Sequence, residues 1–126
     1  MKTRLTLAHL PPSVNALWRY TRGGHMYRTS EYMTFLRGEE WALVPQLMDQ
    51  HKFTGPVFIT AALRRPRSNS DLDNRIKGLG DLLQHVKAID NDKNVFGWNV
   101  YWSRDLPEGV AAEITIVQAD ALEDAA

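Results

Sequence analysis

The run Val57-Phe58-Ile59-Thr60-Ala61-Ala62 constrains the chain most. Val57, Ile59 and Ala61 point one way, Phe58, Thr60 and Ala62 the other, because side chains alternate along a strand. Five of the six are apolar, so the segment reads as a mostly buried strand opened by Gly55-Pro56. Residues 72–87 read as a helix, with Leu72, Ile76, Leu79, Leu83 and Val86 on one stripe. Gly78 and Gly80 interrupt that stripe at about 1 kcal/mol each relative to alanine. Close approach of another backbone, such as a dimer partner's, would explain them.

A second helix is expected from Ser30, its N-cap, to about Gln50, with Glu31 in the first turn, where an anion suits the dipole. Tyr32, Phe35, Leu36, Glu39, Leu43 and Leu47 form its mixed inner face. Pro45 should kink or divide it, and Met33 and Trp41 read as core packing. Residues 2–9 alternate as a strand that Leu10-Pro11-Pro12-Ser13 ends. Gly23-Gly24 signals a hairpin or a loop between two aromatic segments, Trp18 to Arg28. Strands at about 95–103 and 110–117 follow, joined by Asp105-Leu106-Pro107-Glu108-Gly109. No repeat or linker divides the chain. The expectation is a small single α+β domain over residues 1–118, a mixed β-sheet of four to five strands on two main helices. The acidic tail 119–126 should fray.

The 126 residues contain no cysteine, which excludes disulfides, thiolate metal sites and thiol nucleophiles. No apolar run reaches a membrane span and the N-terminus is not a signal peptide, so a cytoplasmic protein is expected. Charges balance overall but not locally. Residues 1–67 hold ten Lys/Arg against four Asp/Glu, and residues 68–126 hold five against eleven. A polyanion ligand needs such a basic face, although two oppositely charged halves can also simply pack together. Arg19, Arg22 and Arg28 interleave with Trp18, Tyr20 and Tyr27, a pattern suited to phosphates and stacked bases or to a solvated hairpin. The histidines, His9, His25, His51 and His85, lack zinc-ligand spacing.

Chemistry concentrates between Arg64 and Asp92. Arg64, Arg65 and Arg67 precede Asp71-Leu72-Asp73-Asn74, then Lys77, Asp81 and Asp90-Asn91-Asp92. On extended backbone Asp71 and Asp73 would face one side, with Lys77 one helical turn beyond Asp73. Two carboxylates about 4–5 Å apart repel by roughly 3–4 kcal/mol at an effective dielectric near 20. A convergent trio therefore needs a cation, bound protons or a nearby Lys/Arg; a hard divalent ion answers that need best, Mg²⁺ with Mn²⁺ a substitute. Plainer roles also exist: Asp71 as an N-cap, Asp73–Lys77 as a surface pair, Asp90-Asn91-Asp92 as turn-formers. The acidic turn would reach the helix N-terminus only through the following strand.

The run Asp71-Leu72-Asp73-Asn74-x-x-Lys77-x-x-x-Asp81-x-Leu83, with Asp92 beyond it, resembles the signature of the RusA family of Holliday junction resolvases. Pro11-Pro12-Ser13-x-Asn15 and the chain length agree with that family. The resemblance implies a homodimeric, Mg²⁺-dependent endodeoxyribonuclease of phage or prophage origin. Such enzymes cut four-way DNA junctions by paired symmetric nicks, leaving 3′-hydroxyl and 5′-phosphate ends. It places the metal-binding aspartates on Asp71, Asp73 and Asp92 and the catalytic lysine on Lys77, leaving Asn74 and Asp81 without a role. The family often has two adjacent acids in the turn, so Asp90 is an alternative third ligand. It can also carry arginine directly before the first aspartate, where this chain has Ser68-Asn69-Ser70. Arg64, Arg65, Arg67, Arg19, Arg22 and Arg28 are the expected DNA contacts. A flap or fork nuclease, or a non-catalytic DNA-binding protein with a structural metal, are the alternatives. No nucleotide cofactor is expected, since no phosphate-cradling glycine loop is present.

Overall fold

The computed structural model describes residues 1–67 and 70–119. Alternation builds β1 (Lys2–Leu7), which buries Thr3, Leu5 and Leu7 on one face. It pairs antiparallel with β6 (Ala112–Gln118), and β6 pairs antiparallel with β4 (Val57–Leu63). β4 then pairs in parallel with β5 (Val95–Trp102), giving the mixed order β1-β6-β4-β5. Residues in register stack into core rows: Leu5, Ile114 and Ala61 form one, Leu7, Ala112 and Leu63 another. Two neighbours explain the apolar character of β4. Its second face is only half-covered at Phe58 and Thr60, because both helices pack on the first.

α1 (Ser30–Leu47) starts one residue earlier than the sequence suggests. Thr29 is the cap, its hydroxyl accepting from the Tyr32 N–H at 3.2 Å. The expected inner face is the buried one, from Tyr32 to Leu47, and Pro45 falls in the last turn without dividing the helix. Trp41 is not core: it is 84% exposed. It lies two residues from both Glu39 and Leu43, about 200° around the helix from the buried face. Met33 is only half-buried.

The second helical stretch is split. A 3₁₀ turn, Asp73–Arg75, precedes α2 (Ile76–His85), and Leu72 is already in the helical region. Asp71 and Asp73 are therefore not spaced along extended backbone. Leu79, Leu82 and Leu83 are fully buried, while Leu72 and Ile76 are half-buried. Lys87 adopts a left-handed φ of 64° and reverses the chain, so that Ala88 and Ile89 N–H groups close on the Leu83 carbonyl. Gly78 needs no partner subunit to explain it, since a Cβ there would collide with the Pro11 ring of the same chain.

The hairpin forms as a separate two-stranded sheet, β2 (Trp18–Tyr20) and β3 (Met26–Arg28), with Gly24 at φ 83°. Of the expected acidic tail, Ala119 is buried and its N–H bonds to the Pro56 carbonyl at 3.1 Å. The rest of that tail, and Ser68-Asn69, lie outside the described residues. No helix among the described residues is long and apolar enough to cross a membrane.

Candidate functional site

Neither the Asp73–Arg75 turn nor α2 has a side-chain cap, so no acid at this helix start is spent on capping. Among the described residues Asp71 makes one long contact, accepting from the Asn74 amide at 3.4 Å. Asp73 is exposed on the turn. Asp71 lines an open cavity of about 440 Å³ with Ser13, Pro66, Arg67, Ser70, Asn74 and Arg75. Two guanidinium groups and a carboxylate thus share one polar recess. Arg75 is anchored there by donating to the Pro11 carbonyl at 2.5 Å.

Lys77 turns toward the other side of the helix start. Its Nζ lies 3.0 Å from Asp81 Oδ1 and 3.3 Å from Asp92 Oδ2. The surface pair expected with Asp73 is thus replaced by one with Asp81. The hydrogen bond to Asp81, reinforced by the charges of Asp81 and Asp92 and opposed by partial burial, raises the lysine above its ordinary pKa. The ammonium therefore persists at neutral pH. Lys77, Asp92, Ile76, Gly80 and Trp98 line a smaller cavity of about 130 Å³.

Asp92 reaches α2 directly rather than through the next strand. The reversal at Lys87 returns the chain along the helix, and the Asp92 N–H donates to Gln84 Oε1 at 2.9 Å. Asn91 caps the short turn that follows, accepting from the Lys93 N–H. Asp90 faces elsewhere. It accepts from Asn94 at 2.8 Å and from the Gly55 N–H at 3.3 Å, and these bonds, that from Asn94 foremost, lower its pKa.

Behind Lys77, Tyr32 donates to Asp81 Oδ2 at 2.5 Å. Burial, then the bond to Asp81, pushes this phenol far above its usual pKa, so it stays a donor. Sequence reading placed Tyr32 in the core stripe and gave Asp81 no role. The only signal was the i,i+4 spacing of Lys77 and Asp81.

The six candidate DNA-contacting arginines divide. Arg64 donates to the carbonyls of Leu106, Pro107 and Val110. Arg65 lies over the Trp102 ring and contacts the Ser70 carbonyl. Arg28 covers the Trp18 and Tyr32 rings at 5.6 and 5.5 Å. Arg19 bonds the Asn15 and Trp18 carbonyls, Arg22 is exposed at the hairpin turn, and Arg67 lines the Asp71 cavity.

Asp71, Asp73 and Asp92 offer only oxygen donors, a set whose chemistry fits a hard divalent cation. Among the described residues no three His, Asp or Glu side chains converge closely enough to form a ready-made metal cluster. The histidines stand apart: His9 pairs with Glu39, His85 with Glu40, and His51 packs edge-on against Phe53.

The family model described as Endodeoxyribonuclease RusA matches residues 9–116 of the chain. That stretch contains every acid and arginine considered above, together with Lys77. No curated protein matches the chain.

Proposed function

As the chain belongs to the RusA family of endodeoxyribonucleases, which resolve Holliday junctions, we propose that it cuts four-way DNA junctions by paired symmetric nicks in a Mg²⁺-dependent reaction. The observation that supports this reading is the return of Asp92 to Lys77, beside the helix start that carries Asp71 and Asp73. Asp71, Asp73 and Asp92 would hold Mg²⁺, or Mn²⁺ in its place. When bound, such an ion supplies a water of lowered pKa and neutralises charge on the phosphate. Asp90, engaged with Gly55 and Asn94, is the weaker candidate for the third acid.

The chain's own groups do the rest. Lys77 presents a permanent positive charge to the pentacoordinate phosphate, favouring the transition state over the ground state. Arg67 and Arg75, flanking Asp71, seat the phosphodiester. Arg19 and Arg22 on the hairpin, together with Arg28 and Arg65 after release from their rings, reach more distant phosphates; Arg64 contributes mainly by holding its loop. Phosphate contacts position DNA without reading bases, so selectivity for a junction comes from its shape. A two-fold homodimer matches a two-fold junction and delivers two related cuts. A DNA substrate agrees with a cytoplasmic protein.

Synthetic four-way junctions, flaps, forks and linear duplexes incubated in Mg²⁺ or EDTA test the proposal. Symmetric nicks in the junction alone, abolished by EDTA, are expected. Preferential cutting of flaps or forks would replace the substrate. Junction binding without nicks under any metal condition would leave a non-catalytic DNA-binding protein.

A further inference from the structure

Lys77 carries four rotatable side-chain bonds and is 48% exposed, so an unheld ammonium would wander among rotamers. Two carboxylates hold it, but Asp92 is a candidate ligand whose oxygens have other work. Asp81 has none. Its side chain is only 12% exposed, one oxygen takes Lys77 and the other takes the Tyr32 hydroxyl.

Tyr32 is in turn fixed. Its ring is fully buried, stands edge-on to Trp18 at 6.2 Å, and lies beneath the Arg28 guanidinium. An exposed i,i+4 ion pair contributes little to stability. Shielding the aspartate and aiming a buried phenol at it costs desolvation that a surface pair would avoid. A fully satisfied polar network of this kind restricts geometry.

We propose that Tyr32 and Asp81 form a clamp that positions the Lys77 ammonium for phosphodiester cleavage. The inference rests on the junction-nuclease reading above. Tyr32 and Asp81 are positioning residues; neither touches DNA or metal.

The test measures junction affinity in EDTA and single-turnover cutting at saturating junction in Mg²⁺, for Asp81→Asn, Tyr32→Phe and the double variant. Affinity should stay within about twofold of wild type, while cutting falls about 30-fold for Asp81→Asn and about fivefold for Tyr32→Phe, a loss confined to the transition state. The double variant should cut no more slowly than Asp81→Asn, because Tyr32 acts through Asp81. Asp81→Glu, which keeps the charge, should recover part of the rate. Cutting within about twofold of wild type, a loss confined to affinity, or multiplying effects in the double variant would overturn the clamp. Should Asp81→Asn not fold, Tyr32→Phe alone decides by the same rate and affinity criteria, since it keeps the ring and its packing. A wild-type chain that cuts no junction would refute the parent reading, and the clamp with it; a cutting wild type with unaffected variants refutes the clamp alone.

Discussion

The Pro11 ring occupies the space that a side chain at Gly78 would need. This contact joins the segment after β1 to the first turn of α2, and the Arg75 bond to the Pro11 carbonyl secures the same join. Gly78→Ala should therefore destabilise the fold by about 1–3 kcal/mol, the usual range for overpacking. At Gly80 a Cβ would meet Trp98 and Asp92 at ordinary distances, 3.6 and 3.9 Å. Gly80→Ala should instead stabilise by up to about 1 kcal/mol through helix propensity. Urea denaturation of both variants checks the contrast, and equal destabilisation would contradict it.

Asp71→Asn, Asp73→Asn and Asp92→Asn should each cut junctions at least about 100-fold more slowly while binding them in EDTA as wild type does. Near-normal cutting by Asp73→Asn would remove it from the site. Lys77→Ala should behave likewise, because its positive charge acts on the reacting phosphate.

The arginines should separate by assay. Arg64 fastens three carbonyls of the loop between β5 and β6, so Arg64→Ala should lower the melting temperature. Arg22 is exposed and has no such work among the described residues, and Arg22→Ala should leave the melting temperature unchanged. It should instead reduce the slope of log affinity against log salt by about one counterion. Differential scanning fluorimetry and binding titrations over a salt series distinguish these outcomes.

Tyr32 creates an alkaline limb in stability. Its folded pKa lies above the ordinary 10.0, so the unfolded chain loses this proton first and binds fewer protons above that pH. The contribution is complete below pH 10 and declines as pH rises toward the folded value, by at most about 1.4 kcal/mol per pH unit. Tyr32→Phe should be the less stable protein at neutral pH and should lose stability less steeply above pH 10. Parallel slopes for the two proteins in alkaline denaturation would contradict this.

The inner face of α1 could be read residue by residue from Tyr32 to Leu47, because helical periodicity is local. The four strands of the main sheet were legible for the same reason, alternation in β1 being a short-range signal, whereas the glycine turn at Gly23-Gly24 suits a hairpin or a loop equally. Boundaries proved less legible. The Thr29 cap and the 3₁₀ turn at Asp73–Arg75 depend on which backbone groups find partners. Trp41 is exposed although its sequence suggests core, because an apolar residue off the buried stripe carries no local mark of exposure.

The sequence alone determined the element types, the two-layer α+β arrangement and the concentration of acids and arginines between Arg64 and Asp92, since periodicity and turn chemistry act over a few residues. Only tertiary structure decided that Asp92 would return to Lys77, that Asp81 would bind Tyr32, and that Gly78 would accommodate Pro11. The first depends on the chain reversal at Lys87, the second on the packing of α1 against α2, and the third on the segment after β1 crossing the start of α2. They join residues up to 67 positions apart in the sequence, and no local pattern encodes which distant side chain fills a given space.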